Sequence, residues 1–325
     1  MGKLDLKDRK ILYQLDLNSR QTLTQLGKKV GLGRNVVAYR IKKMQDTGII
    51  KNFYTNINCF KFGYMIFRIY IRFQYTPSKT KNEIINHFIN YKNSMAVNSV
   101  KGDIDLSVLL WVKKDHEFYE FWNNTINKYG EYFDEKILSI YVQGDEYQYS
   151  FLLPEKNITN QRKKFSTIKD KPIEIDEIDY KILDILAVNA RIPLIELANK
   201  VGCSSQTLEH RLKALKQKKV IIGFRAELDF SKLGLRWCDL KINLKKHSER
   251  KKIVQYMEKN PNFVCLDTAV GYKDLEMEFI IENFDRLDEI IDEIEEKFPN
   301  AIRNYVYWSD VKRHKYRFLP ELNFK

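Results

Sequence analysis

Four cysteines, seven prolines and thirteen glycines in 325 residues are few, and each scarcity excludes something. Cys59, Cys203, Cys238 and Cys265 form no C-x-x-C pair and fall in apolar stretches, so buried free thiols are expected in place of a zinc site, disulfides or redox chemistry. The five histidines (His87, His116, His210, His247, His314) are scattered, with no nucleophile, second base or second ligand at a spacing that suggests catalysis or metal binding. Each reads as a packed or exposed ring, and no catalytic residue, metal ligand or cofactor is expected. No apolar run approaches the length of a bilayer span, and the N-terminal segment MGKLDLKDRK is charged where a signal peptide needs an apolar core. A cytoplasmic protein with no membrane partner is expected.

Positive charge is present in excess and is unevenly placed. The net charge is +13, yet residues 1–52 alone carry +8, residues 155–171 carry +4 and residues 172–223 carry +1, while 53–154 and 224–325 are neutral. A merely soluble basic surface would spread the excess more evenly. A basic segment beside neutral ones fits a polyanion-binding module on a neutral scaffold.

A shift of 171 residues superposes the two halves of the chain. Asp5, Asp8, Ile11, Leu12, Leu15, Asn18 and Arg20 meet Asp176, Asp179, Ile182, Leu183, Leu186, Asn189 and Arg191, and Phe53 and Gly63 still meet Phe224 and Gly234. After small gaps the shift becomes 169, pairing Gly102, Asp105 and Leu106 with Gly271, Asp274 and Leu275. A repeat this long is a duplicated two-domain protein. The segment between the copies is polar, basic and without apolar periodicity, and reads as a linker over 155–174.

The first part of each unit, residues 1–58 and 175–229, reads as three helices. Asp5 is a candidate N-cap for an amphipathic helix carrying Ile11, Leu12 and Leu15; Thr22 and Gln25 make a capping-box pattern for a second helix ending at Gly31. A third runs from Arg34 to Asp46 with Val37, Ile41 and Met44 on its buried stripe, closed by Gly48. This is a helix-turn-helix, in which the last helix enters the major groove of double-stranded DNA. Arg34, Asn35, Ala38 and Tyr39 lie off the core stripe and can reach base edges, while Lys28, Lys29, Lys42 and Lys43 are placed for phosphates. Tyr39 also admits partial packing. Arg40 has two readings, a phosphate contact or an ion pair with Asp8 or Asp16 of the first helix. In the second copy the reading surface becomes Ser205, Gln206, Glu209 and His210, with Arg211 at the place of Arg40. Glu209 is unfriendly to phosphate, so weaker binding, a different sequence or a role in assembly all remain open for this copy.

The second part of each unit, residues 59–154 and 230–325, alternates. Met65, Phe67, Ile69, Ile71 and Phe73 share one face of a strand and Arg68, Tyr70 and Arg72 the other. A helix, strands near 95–101 and 104–112, the latter with Ile104, Leu106, Val108, Leu110 and Val112 inward, a second helix and a strand over about 135–142 complete the order βαββαβ. The fold class is therefore α+β, with two winged-helix-like helix-turn-helix domains and two ferredoxin-like βαββαβ domains in tandem. Each sheet leaves an apolar face uncovered, so the two are expected to pack on each other within one chain.

The L-D-x-x-D start (Leu4, Asp5, Asp8), the V-x-x-R-I run (Val37, Arg40, Ile41), G-I-I at Gly48–Ile50 and the βαββαβ domain behind them resemble the Lrp/AsnC family of transcriptional regulators, over nearly the whole chain and twice. The resemblance implies dimerisation through the second domain (the RAM domain), further homo-oligomerisation, and an amino-acid effector. It places that effector at the G-x-x-D turns: Gly102, Asp103 and Asp105 in one copy, Gly271, Tyr272 and Asp274 in the other. A plain hairpin connection explains the same glycines and aspartates. The family's usual serine before the recognition helix is Gly33 in the first copy and Ser204 in the second. A rival reading is an enzyme, since siroheme decarboxylases look like this family and are also fused in tandem. Their tyrosine, arginine and histidine cluster is not matched here, where the strand pairs read SVKGDIDLSVLLW and TAVGYKDLEMEF, without His or Arg.

Overall fold

In the computed structural model, which describes residues 4–154 and 162–320, the capping chemistry behaves as the sequence implies. The Asp8 amide donates to the Asp5 carboxylate at 2.8 Å and the Asp5 amide donates to the Asp8 carboxylate at 3.3 Å, opening α1 (Leu6–Leu17). Thr22 and Gln25 cap α2 (Leu23–Val30) in the same reciprocal way, and Gly31, at φ +68°, ends it in the left-handed region that favours glycine. The recognition helix α3 (Arg34–Asp46) follows, with Val37, Ile41 and Met44 buried, and β1 (Ile50–Ile57) leads out. The second copy repeats this as α6 (Glu177–Val188), α7 (Leu194–Val201), α8 (Ser205–Gln217) and β7 (Ile221–Leu228). Ser204 caps α8 through the Thr207 amide at 3.1 Å, whereas Gly33 gives α3 no side-chain cap.

The two helix-turn-helix units are joined about a pseudo-twofold axis. Strands β1 and β7 pair antiparallel as a ribbon, Phe53 opposite Ala226 and Thr55 opposite Phe224. Around it, equivalent bonds cross in both directions: the Ser19 amide donates to the Phe224 carbonyl and the Ala190 amide to the Phe53 carbonyl, each at 2.8 Å. Arg20 likewise donates to the Ala190 carbonyl and Arg191 to the Ser19 carbonyl. One apolar core runs through both units, from Ile11, Leu12 and Leu15 to Ile182, Leu183 and Leu186.

The remaining strands close into a barrel. In the first half these are β2 (Met65–Phe73), β3 (Ser94–Gly102), β4 (Leu106–Val112) and β5 (Phe133–Tyr147), with α4 (Ser78–Asn90) and α5 (Asp115–Tyr129) packed on the outside. The second half supplies β8 (Arg236–Leu244), β9 (Phe263–Val270), β10 (Leu275–Ile281) and β11 (Ile302–Tyr316), with α9 (Arg250–Met257) and α10 (Phe284–Lys297) outside. The order β2-β4-β3-β11-β8-β10-β9-β5 returns to β2 through the β2–β5 pairing, so neither half keeps a free edge. The two sheets thus pair within one chain, as expected, and the seams are β3 with β11 and β5 with β9.

Four expectations need correction. The last strand of the first unit is longer than 135–142, because its C-terminal half leaves its own sheet to pair with β9 and with β6 (Lys164–Ile168). That sixth strand lies inside the expected linker: Phe165 is buried beneath a ribbon glycine, Gly223, and the polar residues around it hid an edge strand. Residues 155–161 of the linker lie outside the described residues. Ile104 does not join Leu106, Val108, Leu110 and Val112 under the helices; it packs with Tyr70, Val100 and Trp308 in a plug at one end of the barrel. Finally, the sheet faces that meet are not apolar. Alternation sends Phe67, Ile69 and Ile71 outward under the helices and turns Arg68 and Tyr70 toward Asp267 and Glu276 of the other half.

Candidate nucleic-acid interface

The recognition helix α3 presents what its off-stripe positions promise. Arg34, Asn35, Lys42 and Lys43 are exposed, as are Lys28 and Lys29 on α2, and Ala38 is half-buried. Tyr39 is 67% exposed, so the packed alternative for its ring does not hold. Val36, absent from the off-stripe residues read from the sequence, is also exposed beside Arg34 and Asn35; an apolar side chain at this place suits a thymine methyl. Its signal was its position one residue before the buried Val37. Lys42 is in an i,i+4 ion pair with Asp46 at 3.0 Å, which leaves Lys43 as the less encumbered cation of that turn.

Arg40 and Arg211 belong to the scaffold. The Arg40 guanidinium lies 2.7 Å from Asp5 and 2.8 Å from Asp8, and Arg211 lies 2.7 Å from Asp176 and 2.9 Å from Asp179. Each arginine ties a recognition helix to the first turn of its unit, which fixes the angle at which that helix is offered. The Asp8 amide, and after it Arg40, hold the Asp5 carboxyl below its usual range. Asp16, the other partner considered for Arg40, is instead sealed against Arg225 of the second unit at 2.6 Å. On the second face Gln206, Glu209 and His210 are exposed and Ser205 is half-buried, with Lys213, Lys216, Lys218 and Lys219 exposed further along.

The two G-x-x-D turns lie away from the helix-turn-helix pair, at the plugged end of the barrel, and their groups are already engaged. Asp105 accepts from the Phe73 amide at 2.9 Å, Asp274 from the Leu244 amide at 2.8 Å, and Asp103 from the Tyr307 amide at 3.0 Å. Gly102 has φ +152°, and a Cβ there would meet the Tyr307 carbonyl oxygen at 2.3 Å, so the glycine is required by the seam with β11. Gly271 sits in the equivalent place against Leu138, and Tyr272 packs on Tyr70 in the plug with ring centroids 5.5 Å apart. These contacts account for the residues as barrel closure.

Three cysteines, Cys59, Cys238 and Cys265, are buried free thiols, and Cys203 is half-buried. Among the described residues no helix is long and apolar enough to cross a membrane.

Fold and surface together define a class: a duplicated winged helix-turn-helix protein whose two sheet domains close on each other inside one chain. Residues 4–51 match the model of the winged helix-turn-helix DNA-binding family, and residues 175–216 that of the AsnC-type helix-turn-helix domain. The chain is 33% identical over 133 residues to the HTH-type transcriptional regulator LrpA of Bacillus subtilis, covering 40% of this chain and 93% of that protein. It is 30% identical over 122 residues to the HTH-type transcriptional regulator FL11 of Pyrococcus furiosus, covering 36% and 78%. The chain belongs to the Lrp/AsnC family. Across its whole length it shares the fold of the crystal structure of the siroheme decarboxylase NirDL, with TM-score 0.62, 13% identity and coverage of 95% of this chain and 92% of that one.

Proposed function

We propose that this chain is a sequence-specific DNA-binding transcriptional regulator that carries both halves of a regulator dimer in one polypeptide. The observation that carries the reading is the exposed face of α3, with Arg34, Asn35, Val36 and Tyr39 free of the core in a segment of net charge +8. Because the two recognition helices are related by a pseudo-twofold axis but differ at every reading position, the operator is expected to be bipartite with unequal halves, not palindromic. The half read by α3 supplies most of the affinity and the half read by α8 is subordinate. Selection of bound duplexes from a random pool tests this. The expected result is one well-defined half-site with a weaker neighbour about one helical turn away; a perfect palindrome, or no enrichment, overturns it.

A catalytic reading draws on the fold shared with a siroheme decarboxylase. Against it, none of the described residues lining the open cavity between the β1/β7 ribbon and the barrel is a histidine. His87 packs among Phe88, Phe121 and Tyr129 and bonds to Thr125, and His314 bonds to Ser99. An absorption scan of the purified protein for bound tetrapyrrole decides between the two. An amino-acid effector at the G-x-x-D turns would have to compete with the backbone amides that Asp105 and Asp274 already bind, and calorimetry with the twenty amino acids tests it. Further assembly of chains is read out by light scattering.

A further inference from the structure

The two recognition helices end differently, although the repeat sets the same residue type beside each. Behind each ribbon strand comes a short turn, Cys59–Phe62 in the first unit and Phe230–Leu233 in the second, and the shift of 171 pairs Lys61 of one with Lys232 of the other. Each turn begins against the opposite unit. The Asp229 amide donates to the Ile49 carbonyl at 2.9 Å, and the Asn58 amide donates to the Val220 carbonyl at 2.8 Å. Each lysine is thereby carried beside the end of the other unit's recognition helix.

Lys232 uses that place. Its ammonium donates to the carbonyl of Thr47, the C-cap of α3, at 2.5 Å. A cation there opposes the negative end of the helix dipole and satisfies a carbonyl that the helix itself leaves without a partner. Gly48 makes the room: at φ +71° it turns the chain out of α3, and a Cβ on it would lie 2.5 Å from Lys232 Nζ. Alongside, Lys51 reaches Asp229 at 3.4 Å. In the second unit the same seat is filled. The residue at the place of Gly48 is Lys219, which carries a Cβ at φ +56°. Lys61 turns instead to Asp170 of the linker, whose carboxyl it holds below the usual aspartate range. Ile222 and Asn58 stand at the places of Lys51 and Asp229, so that ion pair has no counterpart either. The physical cause of the difference is that a chain has one linker, which can divert only one of the two lysines.

From this asymmetry we infer that Lys232 is a positioning residue for DNA reading, by which the second half of the chain sets the recognition helix of the first, and that the linker withholds the same support from α8. The inference rests on the regulator reading and deepens it. Helix α3 has two anchors, Arg40 to α1 of its own unit and Lys232 to the second half, so Arg34 and Asn35 are offered at a fixed angle to the ribbon. Helix α8 has the first kind of anchor in Arg211 and lacks the second. Its reading face is therefore ordered on DNA at an entropic cost that α3 has already met in folding.

Lys232→Met keeps the stem and removes the ammonium, and Lys232→Arg keeps a donor cation. In the full chain without DNA, amide hydrogen exchange over residues 43–47 is expected to quicken roughly two- to fivefold in Lys232→Met, the range of a helix-end cation, and to return toward wild type in Lys232→Arg. Exchange over residues 214–218 should be unchanged in Lys61→Met. On duplexes selected by the wild type, Lys232→Met should bind roughly two- to fivefold more weakly and discriminate less at the bases read by Arg34 and Asn35, with the slope of log K against log salt unchanged. A slope reduced by about 0.9 makes Lys232 a phosphate contact and overturns the inference. So do unchanged exchange over residues 43–47, equal effects of the two methionine variants on their helices, or unchanged DNA affinity in Lys232→Met. A wild type that selects no duplex defeats the regulator reading and leaves the exchange comparison to decide whether Lys232 holds α3.

Discussion

The Arg225 guanidinium lies 2.6 Å from the Asp16 carboxylate, and both side chains are sealed from solvent at the junction of the two helix-turn-helix units and the barrel. Asp16 also accepts from the Tyr149 amide at 2.8 Å, and Arg225 reaches Glu146 and the Tyr147 carbonyl. The equivalent positions across the pseudo-twofold axis are Ala187 and Tyr54, so this junction is built differently on its two sides.

Removing one partner strands the other without water. Asp16→Ala is expected to cost about 3–5 kcal/mol in urea unfolding. Asp16→Ala combined with Arg225→Tyr, which copies the other side, should cost clearly less than the two single changes added together. Additive losses would mean that the pair acts through packing and not through charge.

Arg40 and Arg211 are expected to behave as struts. Arg40→Gln should lower stability by roughly 0.5–1 kcal/mol, since the pair is partly exposed, while leaving the salt dependence of DNA binding unchanged. The sign of its pH dependence follows from Asp5, whose carboxyl in the folded protein lies below the usual aspartate range because the Asp8 amide and Arg40 bind it. Its stabilisation is present above pH about 4 and is lost as pH falls through the folded value. Acid unfolding of the wild type and Arg40→Gln should therefore converge at low pH. A reduced salt slope in Arg40→Gln would return this residue to the DNA surface.

Phosphate and base contacts on α3 separate by their signatures. Lys43→Ala should weaken all duplexes alike and reduce the slope of log K against log salt by about 0.9, and Lys42→Ala by less, because Lys42 already serves Asp46. Arg34→Ala or Asn35→Ala should relax preference at one base position at a cost of about 1–3 kcal/mol on the best site. Matching substitutions at Ser205 and Gln206 should matter less in fluorescence anisotropy titrations. Equal effects from both helices would defeat the asymmetry.

Asp310 is pushed up to about 7, first by burial and then by Asp239. An acid raised on folding is harder to ionise in the native state, so its penalty appears as pH rises from about 4 to 7 and is complete above that. Melting temperatures measured from pH 5 to 8 should fall less steeply in Asp310→Asn than in the wild type, and the variant should be the more stable of the two at pH 8. An unchanged slope would assign the pH dependence to other groups.

Much of this was legible in the chain because it is local or periodic. The caps at Asp5 and Thr22, the bounds of α3 and the outward face of β2 follow from side-chain chemistry within a few residues. The two-fold repeat at a shift of 171 was legible for the same reason. Arg68, Tyr70 and Arg72 were visible as the polar face of β2, but nothing in that pattern marked it as the side that meets the other sheet. What Arg68 meets, Asp267 and Glu276, is some two hundred residues away, and no pattern within a strand can name it.

The sequence by itself determined the elements, their duplication and the basic recognition helix, since helix caps, alternation and charge density act over a turn or a strand. Only the tertiary structure decided that the two sheets close into one barrel, that β6 is drawn out of the linker, and that Arg40 and the G-x-x-D aspartates are committed to scaffold bonds. The physical reason is that burial and pairing are properties of groups brought together from distant positions, and whether a charge is satisfied depends on neighbours that the fold alone supplies.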